Sequence, residues 1–142
     1  MRFVFRPFVF LLAVIGAGCA APQLGFETRA LQGVPYARAF DETEIAINRH
    51  FDLIYSDRAS GVISTRYSSE KSVDGIIQVR AIAVLKEAPG GQSTTVNLKI
   101  VRERFWEKWE LDHELTTQID FDGYDERLAN AILDEIQSRT VR

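Results

Sequence analysis

Ile77-Gln78-Val79-Arg80-Ala81-Ile82-Ala83-Val84-Leu85, followed by Ala88-Pro89-Gly90-Gly91-Gln92 and then Val96-Asn97-Leu98-Lys99-Ile100, is the stretch that decides the fold. Ile77, Val79, Ala81, Ala83 and Leu85 recur at every second position, against Gln78 and Arg80. A strand sends alternate side chains to opposite faces, so this spacing describes a strand with one buried face. The Pro-Gly-Gly run breaks the pattern and turns the chain. Val96, Leu98 and Ile100 then resume it against Asn97 and Lys99. Residues 77–100 therefore read as an antiparallel hairpin presenting one apolar surface.

The flanking segments supply cover for that surface. Asp41 with Glu44 has the spacing of a capping box, and Phe40 and Ile45 occupy staple positions, so a helix is expected from Asp41. Ile47, Phe51 and Ile54 form its apolar stripe, with the helix ending near Phe51 or Asp52 and Leu53-Ile54-Tyr55 turning to strand. Ser56 to Gly61 is a turn cluster. In the strand that follows, Ile63, Thr65 and Tyr67 share a face, and Ser68 to Gly75 reads as a polar turn. Near the C-terminus Tyr124, Leu128, Ala131, Ile132 and Ile136 fall on one helical face, with the start expected at Asp120 or Asp122. The fold class expected is α+β, an antiparallel meander of three to five strands with one face covered by two amphipathic helices.

The N-terminus carries a different signal. Arg2 and Arg6 precede the apolar run Phe8 to Ile15, and Gly16-Ala17-Gly18-Cys19 follows. The run is short of the ~20 apolar residues that span a bilayer, so a cleaved export leader is expected. Cys19 is the only cysteine of the 142 residues, so no internal disulfide can form. Cleavage between Gly18 and Cys19 would leave that residue at the new N-terminus. An ordinary signal cut near Ala20-Ala21 and an uncleaved anchor are the alternatives. The organisation expected is a leader over 1–18, a flexible tether over 19–38, one domain over 39–139 and a tail over 140–142.

Ala17-Gly18-Cys19 resembles the lipobox of bacterial lipoproteins, although Gly16 stands where that family prefers Leu, Val or Ile. The resemblance implies acyl chains on Cys19. It also implies a domain held at the periplasmic side of a membrane, with Ala20 favouring the outer membrane. Several acyl chains at ~0.8 kcal/mol per buried methylene would make such attachment effectively permanent. At Asp57-Arg58-Ala59-Ser60-Gly61-Val62-Ile63 the chain resembles domains of the C-type lipoprotein subunit of the outer-membrane β-barrel assembly machine. That resemblance implies a helix-on-sheet fold used for protein contacts, without enzymatic activity.

The leader holds two of the 17 basic residues and none of the 20 acids, which leaves the mature chain at a formal charge of −5. An acidic domain does not suit phosphate neutralisation, so no nucleic-acid partner is expected. His50 and His113 are the two histidines, and no metal is expected. Asp112 and Glu114 would point away from the face of His113 in a strand, and no His-Glu-x-x-His spacing occurs. No Gly-x-Ser-x-Gly elbow is present, and Gly90-Gly91 lacks the Lys and helix of a phosphate loop. Glu107, Glu110, Asp120 and Asp122 read as solvated surface. No cofactor and no catalytic residue is expected. Arg104-Phe105-Trp106-Glu107-Lys108-Trp109 is the sharpest remaining feature. Trp106 and Trp109 are candidate partner contacts, with core packing and the membrane interface as the other readings. The function expected is an envelope lipoprotein that binds or assembles. The alternative is a periplasmic carrier of an apolar ligand or lipid, which would need a cavity of several hundred Å³.

Overall fold

The computed structural model describes residues 24–73, 75–109 and 115–141, the side chains of residues 107–109, 115 and 116 excepted. The elements run β1 (Glu27–Gln32), α1 (Tyr36–Asn48), β2 (Leu53–Asp57), β3 (Val62–Thr65), β4 (Ser68–Ser72), β5 (Gly75–Glu87), β6 (Ser93–Trp109), β7 (Leu115–Tyr124) and α2 (Glu126–Thr140). The expected hairpin is β5 and β6, paired antiparallel from Ile76↔Phe105 to Glu87↔Thr94. Ala88 N–H closes its turn on the Ser93 carbonyl at 2.9 Å.

The class is α+β, but among the described residues the sheet has seven strands rather than three to five. Its main path is β1-β6-β5-β3-β2, with β4 pairing β5 and β7 pairing β6, every pair antiparallel. The extra strands arise because β5 and β6 are long. β6 has 17 residues, roughly 55 Å at strand rise. One neighbour cannot cover that length. β1 takes the first part of β6, from Leu98↔Glu27 to Ser93↔Gln32, and β7 takes the rest. Likewise β3 lies along one end of β5 and β4 along the other.

One face of the sheet packs on the helices. Ala81, Ala83, Leu85, Val96, Leu98 and Ile100 meet Phe40 and Ile47 of α1 and Ile132, Leu133 and Ile136 of α2, all buried. Ala39, Ala46 and Ala129 sit on the buried helix faces and Ala81 and Ala83 on the sheet. Small side chains there let backbone approach backbone at interior density. Thr65 resolves a polar problem at the break between β3 and β4. The β3–β5 pairing ends at Ser64↔Ile82 and the β4–β5 pairing starts at Ser68↔Val79. Thr65 Oγ1 accepts the Ala81 N–H at 2.9 Å and so replaces the missing ladder bond.

Several boundaries differ from the sequence expectation, each for a local reason. The span 19–38 is not a tether throughout. Residues 27–32 form β1, because the edge of β6 offers backbone partners and Leu31 is buried. Its first residues, 19–23, lie outside the described residues. Helix α1 starts at Tyr36, with Pro35 as N-cap and no side-chain cap. Proline pre-sets the helical entry there. Asp41 therefore sits inside the helix and pairs with Arg58 instead of capping. Ile54 is exposed on β2, outside the apolar stripe. The stretch expected as a turn, 68–75, contains β4. Tyr67 leaves the face of Ile63 and Thr65 and lies on the other side, its ring 4.8 Å beneath the Arg80 guanidinium. Burial and Glu103 push its phenol pKa up.

Helix α2 starts after Asp125, whose Oδ1 accepts the Leu128 N–H at 2.9 Å, so Asp120, Asp122 and Tyr124 belong to β7. Ala131 is exposed, and Ala129 and Leu133 complete the buried stripe with Ile132 and Ile136. The helix runs through Thr140, one residue into the expected tail.

The Asp57–Gly61 segment is a turn. Asp57 accepts the Ala59 and Ser60 N–H groups at 3.0 and 3.2 Å. The Ser60 side chain and the Ala59 amide hold its carboxyl pKa below the usual value. Gly61 has φ +72, and a Cβ there would come within 2.4 Å of the Leu85 carbonyl oxygen. The motif thus joins β2 to β3 and lets Gly61 lie on the backbone of β5.

Two expected outcomes follow from these contacts. Gly33 shares a positive φ of +70 but has open space around it. Gly33→Ala should cost about 1–2 kcal/mol from the left-handed conformation alone. Gly61→Ala should cost clearly more in urea denaturation, and equal losses would remove the close approach as the reason for glycine. Thr65→Val keeps shape but removes the acceptor for Ala81, and should cost about 1–3 kcal/mol.

Candidate interaction surface

The helices cover only part of the sheet. Beyond Ile100, β6 continues with β7 on one side and with the first half of β5, then β4, on the other. This forms a four-stranded arm. Residues directly opposite in an antiparallel pair share a face, so register assigns every arm residue to one side.

On the helix side, the alternating positions of β6 change after Ile100 from aliphatic residues to Arg102, Arg104 and Trp106. Arg102 reaches Asp122 at 3.6 Å and Asp125 at 3.4 Å, and Arg104 reaches Asp122 at 2.9 Å. Asp122 is therefore a half-buried member of an ion cluster rather than solvated surface. Asp125 serves two roles, one oxygen capping α2 and the other facing Arg102. The Arg104 guanidinium also lies 5.3 Å over the Trp106 ring.

On the opposite face, the apolar set shifts to the other parity. Register places Ile76, Phe105 and Ile119 in one row across β5, β6 and β7. Phe121 stands opposite Glu103, and Tyr124 opposite Val101. The Phe121 and Tyr124 rings meet edge to face at 4.9 Å. Ile119 and Phe121 are 58% and 60% exposed, and Ile76 is 43% exposed. The result is an aromatic and aliphatic stripe with no helix over it among the described residues.

β7 also has an open edge. Its ten residues pair with β6 on one side, and no strand pairs with the other among the described residues. Natural edges are usually shortened, charged with lysine or broken with proline. β4 fits that habit, being five residues long with Glu70 and Lys71. β7 contains neither lysine nor proline, and its carboxylates are engaged. Asp122 faces the arginines, and Asp120 accepts the Gln118 amide at 3.0 Å.

The sequence-predicted site residues are placed unevenly. Gly18, Cys19 and His113 lie outside the described residues. Trp106 is half-buried on the arm and is not part of the core cluster. Trp109 ends β6 opposite Leu115. His50 follows α1, its Nε2 3.5 Å from Glu135. A polar cleft of about 200 Å³ lies there, reaching Arg66 and Ser68. A shallow groove borders Pro35 and Gly91. Among the described residues no three His, Cys, Asp or Glu side chains gather as metal ligands. The apolar stripe and the β7 edge escaped the sequence reading. Their signal is present in Ile119-Asp120-Phe121-Asp122, which alternates as a strand does while its aspartates also resemble the start of a helix.

No family model matches this chain, and no curated protein is similar to it.

Trp106 and Ile132 separate surface from core. Ile132→Ala should cost about 2–5 kcal/mol. Trp106→Ala should cost well under that, near the ~0.5 kcal/mol of ordinary surface changes plus its loss of contact with Arg104. A comparable drop in melting temperature for both would place Trp106 in the core.

Proposed function

We propose that this chain is a lipid-anchored, non-enzymatic component of the bacterial cell envelope, held through Cys19 on the periplasmic side, at the outer membrane. Its task is to bind another envelope protein. The open edge of β7 carries the binding half of this reading. An extended partner segment adding to β7 would gain main-chain hydrogen bonds along the free side of the strand. The leader and the lone cysteine carry the anchoring half. The filled interior favours binding over carriage of an apolar ligand. Ile47, Leu98, Ile100, Ile132 and Ile136 are fully buried between sheet and helices, and Phe51 alone of the core cluster lines either cleft described above.

One experiment in intact cells checks both halves. An alkyne-palmitate analogue should label the wild type and fail to label Cys19→Ala. A photo-cross-linker at Gln118 should capture one defined envelope protein, whereas the same group at Arg127 on α2 should not. Labelling that survives Cys19→Ala removes the anchor, and equal capture at both positions removes the strand-addition site.

A further inference from the structure

The place where the chain enters the domain gives the apolar stripe an occupant. Leu24 is 81% exposed. Gly25, with φ +76, lies directly on the Tyr124 ring, where a Cβ would come within 2.5 Å of the ring carbons. Phe26 follows, with the Lys99 ammonium 4.6 Å over its ring. Tyr124 and Lys99 both belong to the face opposite the helices, because they stand in register with Val101 and Ile82. The first described residues therefore cross the same face that carries Ile76, Phe105, Ile119 and Phe121.

The connection to Cys19 is short. Five residues separate Cys19 from Gly25, six Cα–Cα steps with a reach of at most about 22 Å even when fully extended. The sheet is far longer than that, β6 alone running roughly 55 Å. A lipid on Cys19 would hold the Gly25 face closer to the bilayer than the length of the sheet itself. That face is also the one lined with exposed aromatic and aliphatic side chains, which favour the bilayer interface. Among the described residues its cations include Lys71 beside Ile76, Arg80 over Tyr67, Lys86 opposite Thr95 and Lys99 over Phe26. Its acids include Glu103 and Asp57, the first set against Tyr67 and the second held in its own turn.

We propose that the helix-free face of the sheet lies on the membrane to which Cys19 is anchored, with Leu24, Ile119, Phe121 and Ile76 in the headgroup region. This deepens the function proposed above and rests on its acylated Cys19. Apolar insertion rather than charge holds the face down, since the mature chain is acidic, so the contact is insensitive to salt. The two helices then point away from the bilayer.

Depth-dependent quenching tests it on the full acylated chain in phospholipid vesicles. Acylation consumes the only native thiol, so a cysteine introduced at Ile119 or at Gln137 takes a fluorophore alone. Doxyl-labelled lipid should quench the Ile119→Cys label several-fold more strongly than the Gln137→Cys label, at low and high salt alike. Equal quenching at the two positions, or quenching at Ile119 that disappears in salt, overturns the proposal, including the case in which a protein covers the stripe. Intact mass separates the two levels. With Cys19 acylated, a negative result sinks only the orientation. An unmodified Cys19 sinks the anchor and the orientation together.

Discussion

The β5–β6 ladder is the constraint on which the rest of the molecule depends. It is longer than either the helices or any single neighbouring strand can cover. Two strands must therefore share each outer side, and two helices of 13 and 15 residues can shield only one end. A helix rises about 1.5 Å per residue against about 3.3 Å for a strand, so α2 spans less than half of β6. The arm follows from that mismatch. Once strands project beyond their cover, their two faces are free to acquire different compositions, and here they do.

The change of face is written into β6 at one point. Val96, Leu98 and Ile100 are apolar and buried, and the positions that continue them are Arg102 and Arg104. Val101 and Phe105 take over the apolar role on the opposite parity. The register irregularity between Arg102 and Glu103, with Gly123 at φ +101, falls at the same place. Bulges increase local twist and re-aim side chains. The Arg102–Asp122–Asp125 cluster then closes the boundary. It seals the end of the core with charges that are paired, and it ties the first turn of α2 to β6. Ion pairs this accessible contribute little stability individually. Their consequence is positional, since Asp125 cannot cap α2 and face Arg102 unless β7 ends where it does.

The central hairpin was legible because its signal is strong and local. Ile77, Val79, Ala81, Ala83 and Leu85 at every second position, with Gln78 and Arg80 between the first three, and a Pro-Gly-Gly turn leave little choice. The second face was not, because Ile76-Ile77 and Ala81-Ile82-Ala83-Val84-Leu85 are apolar at both parities, and attention to one set conceals the other. β1 has no pattern of its own and exists because β6 has an edge to pair. The start of α1 shows the competition between signals. Asp41 and Glu44 satisfy the spacing of a capping box, but Pro35 lies upstream and the helix begins at the first residue after it. β7 was lost for a related reason. Aspartates before an amphipathic run suggest a cap, and only the fold reveals that Asp125 performs that role while Asp120 and Asp122 alternate with Ile119 and Phe121.

The anchoring proposed through Cys19 would add a constraint that the isolated domain does not have. A module free in solution gains nothing from separating its apolar stripe from its open edge, and exposing both risks aggregation. A module held by five residues of chain would be different. With the stripe and the entry of the chain at Gly25 on one face, a bilayer held at Cys19 would occupy the stripe without competing for the edge. β7 borders that face, and the edge left without a partner strand among the described residues lies in the plane of the sheet, which in the proposed orientation would run roughly parallel to the membrane. A partner strand lying along the same surface would meet the edge in two dimensions rather than three. Effective concentration would then substitute for contact area, and a ten-residue edge would suffice for the recognition proposed.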